Sequence, residues 1–172
     1  MATFNSKVLI VDDEFEIAES LKHTLANAGA SESLGNSSKA LFGVESEAEI
    51  SFFVEVALSG SRAVEMVKTS LDNQSPFAVI FLDIRMPQED GVRTAFKIRE
   101  LDPFVEIVFM SAFSDYTEEQ LNKILGQSFP FLVKPFKGVE AIETAKESLK
   151  KWNKKVYGSL KGYLKESNLW RR

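Results

Sequence analysis

The 172-residue chain has no cysteine and a single histidine. The first absence excludes a disulfide framework and any thiolate metal site. The lone His23 lies between Lys22 and Thr24, off the apolar stripe of its segment, and reads as a surface side chain. Long hydrophobic runs are lacking too. No stretch approaches the roughly 20 apolar residues of a membrane span. The opening MATFNSKVLIVDDE carries only the short run VLIV before its acids. No secretory leader is expected, and the cytoplasm is the expected location.

Positive charge is scarce in the body of the chain. The net charge is −4, but from Val139 to Arg172 seven Lys and two Arg face four Glu, about +5, which leaves about −9 for residues 1–138. Such an excess on one helical segment is too small to indicate nucleic-acid binding and reads as a solvated helix face. Composition is otherwise ordinary for a globular protein, with 44% hydrophobic and 27% charged residues, and the length suits one domain with a real core.

Five short apolar runs are present: KVLIV (7–11), SFFVEVAL (51–58), FAVIFL (77–82), VEIVFM (105–110) and PFLV (130–133). Four are nearly continuous in apolar character, which predicts strands covered on both faces of a parallel sheet. The second alternates more and suits a strand nearer an edge. Segments of helical period separate them. Ile17, Leu21, Leu25 and Ala28 form one stripe, with Gly29 as a stop. Val64, Val67 and Leu71 form the next. Val92, Ala95, Phe96 and Ile98 precede Asp102-Pro103. Thr117 with Gln120 makes a capping box ahead of Leu121, Ile124 and Leu125. Ile142, Ala145, Leu149 and Trp152 mark the last. The βαβαβαβαβα order predicts an α/β, doubly wound (βα)5 sandwich, with ligands beyond the carboxyl ends of the strands. Residues 30–50 are too long for an ordinary αβ connection and read as an insertion. Within it, ASESLGNSS looks flexible and KALFG suits a helical turn.

The strand ends carry the chemistry. Asp12, Asp13 and Glu14 follow the first, Asp83 the third, Ser111 the fourth and Lys134 the fifth. Each has an ordinary structural role when taken singly: an N-cap for Asp12 or Asp13, a turn cap for Ser111, a solvent-seeking side chain for Lys134. Together on one edge they pose an electrostatic problem. Two carboxylates about 4 Å apart repel by about 4 kcal/mol at an effective dielectric near 20. A hard divalent cation with oxygen ligands resolves this, and Mg²⁺ is usually held by one or two carboxylates with waters and phosphate oxygens. Lys134, ending FPFLVKPF, reads as a cation awaiting an anion such as a phosphoryl group. A cis bond to Pro135 would cost little.

The pieces VLIVDDE, VIFLDIRMPQEDG, VFMSA and FLVKPF resemble the receiver domain of two-component response regulators, over about residues 6–150. The resemblance implies a five-stranded parallel sheet in the flavodoxin-like order 2-1-3-4-5. It implies Asp83 as the phosphoryl acceptor, served by a sensor histidine kinase or phosphotransfer protein. Mg²⁺ would be bound by Asp13, Asp83 and the Arg85 backbone carbonyl, with Asp12 acting through water. Lys134 would pair with phosphoryl oxygens, and Ser111 would turn to hydrogen-bond them. Phe131 matches the aromatic switch position but lacks the hydroxyl that a tyrosine would bring. On this reading residues 1–152 are the receiver. Residues 153–172 are a basic tail, in which Val156, Leu160 and Tyr163 continue the last stripe toward a connector or homodimer contact. Gly158 and Gly162 weaken that helix, and Tyr157, Leu164 and Trp170 would otherwise fold back on the domain. The tail shows no output motif, so the chain reads as a stand-alone receiver or one without its output. It would be a switch with only its own phosphorylation and dephosphorylation chemistry. A phosphohydrolase of the haloacid dehalogenase type would want D-x-D after its first strand, where this chain has D-D-E. A receiver acting without phosphorylation is countered by the complete set of acids, Ser111 and Lys134.

Overall fold

The computed structural model describes residues 5–28, 50–87, 89–112, 119, 120, 123, 126 and 128–167, with side chains described as far as Gly158. Five parallel strands form one sheet: β1 (Lys7–Val11), β2 (Phe53–Ala57), β3 (Val79–Asp83), β4 (Glu106–Ala112) and β5 (Phe131–Lys134), in the order β2-β1-β3-β4-β5. Four helices are bounded: α1 (Phe15–Ala26), α2 (Gly60–Asp72), α3 (Gly91–Leu101) and α4 (Gly138–Ser167). Glu119, Gln120 and Lys123, between β4 and β5, are also helical. Thr117 of the expected capping box and residues 30–49 of the expected insertion lie outside the described residues.

The apolar runs of β1 and β3 are continuous because both strands are covered on both faces. Val8 to Val11 and Val79 to Leu82 are fully buried. Alternate residues serve two cores. Leu9, Val11, Ile80, Leu82, Ile107 and Phe109 pack under α2 and α3, against Ala63, Val67, Ala95 and Ile98. Val8, Ile10, Val79, Phe81, Val108 and Met110 pack under α1 and α4, against Leu21, Leu25, Leu149 and Trp152. β2 is an edge strand, as its alternation suggested. β5 is the other edge, so the expectation of burial on both faces fails there, and Val133 is exposed.

Two helix stripes differ from the apolar spacing. Phe96 was expected to face inward but is exposed; Gly91, Thr94, Ala95 and Ile98 are the buried set of α3. In α2, Gly60, Ala63, Val67 and Ser70 are buried, while Val64 and Leu71 are half-buried at the core margin. Small residues let a helix approach the sheet closely, and hydrophobicity alone does not mark them. The last helix runs unbroken through Gly158 and Gly162. Its root is tied down. Asn153 exchanges hydrogen bonds with the Asn5 backbone at 2.8 and 2.9 Å, and Tyr157 meets Trp152 edge-on at 6.0 Å between ring centroids. Tyr157 is half-buried and packs against the core under α1 and α4, of which Trp152 is a member. The Leu164 side chain and Trp170 lie outside the described residues. Among the described residues no helix is long and apolar enough to cross a membrane.

Candidate functional site

Strand register assembles the site. Val11 pairs with Leu82, so Asp12 leaves β1 beside Asp83, the last residue of β3. Asp83 pairs with Met110, Met110 with Leu132, and Ala112 with Lys134. Ser111 and Lys134 thereby reach the same edge. All four residues end up together because a parallel sheet points every strand's carboxyl end the same way.

The geometry is close. Carboxylate oxygens of Asp12, Asp13 and Asp83 lie within 4.8 Å of one another. At that separation two full charges repel by roughly 3–4 kcal/mol at an effective dielectric near 20. Asp12 is fully buried, Asp83 is 5% exposed and Asp13 is half-buried. Lys134 Nζ donates to Asp12 Oδ2 at 2.6 Å and sits 3.1 Å from Asp83 Oδ1. The lysine that ends FPFLVKPF is thus not a lone cation; it already neutralises part of the acid cluster. The other Asp12 oxygen accepts the Glu14 backbone N–H at 3.0 Å, which fixes the turn into α1. The Lys134–Pro135 peptide bond is cis.

Burial is the main reason that the Asp83 carboxyl is pushed up to about 6. Lys134 opposes the shift, and Asp12 and Asp13 add to it. Burial also disfavours the Lys134 ammonium, but its hydrogen bond and charge contact with Asp12, followed by those with Asp83, outweigh this and raise its pKa. One ammonium against three carboxylates leaves the cluster short of positive charge. Three oxygen donors of this kind in so small a space fit a hard divalent cation.

Ser111 is fully buried and its Oγ donates to the Ala112 carbonyl at 3.3 Å. Phe131 is half-buried against the core under α2 and α3. Arg85 is exposed; its backbone forms an antiparallel bridge with Asp90, closing a hairpin just after Asp83. Asp90 caps α3 by accepting the Val92 N–H at 2.8 Å. Asp90 and Gly91 were not singled out in the sequence, although an Asp-Gly pair ahead of a helical segment carries the cap signal. His23 is exposed on α1, away from the acid cluster. A groove of about 620 Å³ adjoins Lys134, lined by Glu14, Ile17, Leu21, Pro135 and Phe136.

With this geometry in place, three comparisons converge. The family model for the response regulator receiver domain matches residues 44–146. That span starts beyond Asp12 and Asp13, which the fold nonetheless brings to Asp83. An uncharacterized response regulatory protein of Vibrio cholerae is 28% identical over 154 residues, 88% of this chain and 52% of that protein. A probable transcriptional regulator of Guillardia theta, ycf27, is 28% identical over 89% of this chain and 49% of its own length. The chain spans about half the length of these curated relatives. Among solved structures, an adenylate cyclase from Rhodopirellula baltica superposes with a TM-score of 0.67 at 25% identity, over 94% of this chain and 98% of that one. The Vibrio cholerae chemotaxis protein CheY4 does so with a TM-score of 0.61 at 25% identity, over 84% and 98%.

Proposed function

We propose, since this chain belongs to the response regulator receiver domain family, that Asp83 accepts a phosphoryl group from a phosphohistidine of a partner kinase or phosphotransfer protein and thereby switches the chain's contacts. The observation that carries this reading is the acid cluster with half-buried Lys134 set against it. It is a pocket short of positive charge, centred on an aspartate at a strand end.

An Asp83 carboxylate oxygen would attack phosphorus. The P–N bond to the donor histidine breaks, and its electron pair stays on that ring nitrogen. A donor protonated at its other nitrogen leaves as neutral imidazole. Lys134 would give up its contact with Asp83 for a phosphoryl oxygen while keeping Asp12 as its anchor. Ser111 would turn its hydroxyl from the Ala112 carbonyl to the phosphoryl group. Phe131, half-buried, would report that movement by changing its depth. Asp13, Asp83 and the Arg85 backbone carbonyl would hold Mg²⁺, with Asp12 acting through water. Bound there, the ion supplies the missing positive charge against the acids and the phosphoryl oxygens. On this reading the chain works in the cytoplasm as a switch rather than on external substrates. The continuation of α4 past Gly158 supports a connector or homodimer contact as its output path.

The test is intact mass after incubation with acetyl phosphate and Mg²⁺. One phosphoryl adduct is expected on the wild type, none on Asp83→Asn and none without Mg²⁺. The absence of an adduct, where another receiver is labelled in parallel, would point instead to a receiver that binds partners without phosphorylation.

A further inference from the structure

We propose that Gly91 is a positioning residue for the acceptor, and that it is glycine because the Asp83–Ile84 backbone lies where a side chain would begin. Gly91 does not have the positive φ that would demand glycine on conformational grounds; among the described glycines only Gly126 does. Its constraint is space. A methyl group at Gly91 would overlap the Asp83 carbonyl oxygen and lie 2.8 Å from the Ile84 Cα and 3.0 Å from the Asp83 carbonyl carbon. All three atoms are backbone, so none can swing aside.

The surrounding bonds make this contact part of a mould. The Ile84 N–H donates to the Met110 carbonyl at 3.0 Å, and the Gly91 N–H donates to the Ile84 carbonyl at 2.9 Å. Arg85 bridges Asp90, and Asp90 caps α3. The chain leaves β3 at Asp83 and, at Gly91, returns to press on the peptide it left. The acceptor's backbone is held by β4 on one side and by Gly91 on another. The Arg85 carbonyl, two residues past Asp83, belongs to the same hairpin. A side chain at position 91 has to push the Asp83–Ile84 peptide away and disturb both. A misplacement of about 1 Å at a reacting group can cost on the order of a hundredfold in rate.

Gly60 gives a matched contrast. A methyl there would meet Thr94 Oγ1 and Glu89 Oε2 and come within 3.2 Å of Thr94 Cβ, all of them side-chain atoms rather than backbone. The two substitutions crowd the same neighbourhood, but only one displaces the acceptor's backbone.

This inference rests on the reading of Asp83 as acceptor, so the experiment separates the two. Full-length wild type, Gly91→Ala and Gly60→Ala are compared by thermal melting, by calorimetric Mg²⁺ titration and by the rate of labelling with acetyl phosphate at saturating Mg²⁺. Gly91→Ala is expected to label at least tenfold more slowly and to bind Mg²⁺ at least fivefold more weakly. Gly60→Ala should stay within twofold in both readouts, whatever its loss in melting temperature. Gly91→Ala within twofold of wild type in both would overturn the proposal, as would an equal loss in Gly60→Ala. Should Gly91→Ala not fold, Asp90→Ala decides, because it loosens the same return of the chain without adding bulk. Labelling at least threefold slower supports the mould, and labelling within twofold contradicts it. A wild type that takes no label defeats the acceptor reading, and the Mg²⁺ affinities then judge Gly91 alone.

Discussion

The two ends of the sheet each bury carboxylates beside lysines, with opposite balance. At the carboxyl end, Asp12 and Asp83 share Lys134, with Asp13 within 4.8 Å of both. At the amino end, Glu106 opens β4, is 5% exposed and takes two lysines of α4, Lys155 at 2.6 Å and Lys151 at 2.9 Å. Arg99, whose guanidinium donates to the Pro103 and Val105 carbonyls, adds a third cation nearby. Glu106 is satisfied and pins a helix. The aspartate cluster keeps an excess of negative charge, and burial, with repulsion from Asp12 and Asp13, lifts Asp83 to about 6. Buried charge therefore does not by itself identify a site; the sign of what remains unbalanced does.

That contrast can be broken at either end. The largest expected effect is from Lys134→Ala, which leaves fully buried Asp12 without its paired cation. Losing one partner of a buried pair costs about 3–5 kcal/mol. Chemical denaturation in chelator should show that loss, with added Mg²⁺ recovering part of it, and acetyl phosphate labelling should fall at least a hundredfold.

Asp83→Asn should act in the opposite direction on stability. The folded-state pKa of about 6 lies above the ordinary 3.8, so the folded protein holds this proton more tightly than the unfolded chain does. Metal-free stability then declines as pH rises from about 4 to about 6 and levels off above. Relative to wild type, Asp83→Asn should gain up to about 3 kcal/mol at pH 7 and nothing near pH 3.5. Denaturation in chelator across that range checks both sign and window.

At the other end the effects shrink. Glu106→Ala should cost about 1–2 kcal/mol, since Lys151 and Lys155 are 57% and 41% exposed and can turn to water. Lys151→Ala should cost under about 0.5 kcal/mol, because Lys155 still pairs with Glu106. Equal costs for Lys134→Ala and Lys151→Ala would erase the distinction between the two clusters.

Much of the fold was legible because parallel strands buried on both faces leave continuous apolar runs. β1 follows KVLIV residue for residue, and the βα alternation carries the architecture. The candidate site's members were legible because Asp12, Asp83, Ser111 and Lys134 each directly follow an apolar run, the second run alone ending without one. What escaped depends on non-local geometry. The Lys134–Asp12 contact joins residues 122 positions apart, so an apparently lone lysine was already paired. Phe96 points to solvent because smaller Ala95 and Thr94 fill the close approach of α3. Val133 is exposed because β5 is an edge, which an apolar run cannot announce. Gly91 is marked only by a backbone atom that arrives from eight residues earlier.

The most direct test of the central claim is to locate the phosphoryl group. Protein labelled with acetyl phosphate and Mg²⁺ is reduced with borohydride, which converts an aspartyl phosphate to homoserine, and its peptides are weighed. Homoserine at position 83 and nowhere else is the predicted result. A label on any other residue, or unreduced aspartate at 83 in labelled protein, would contradict it.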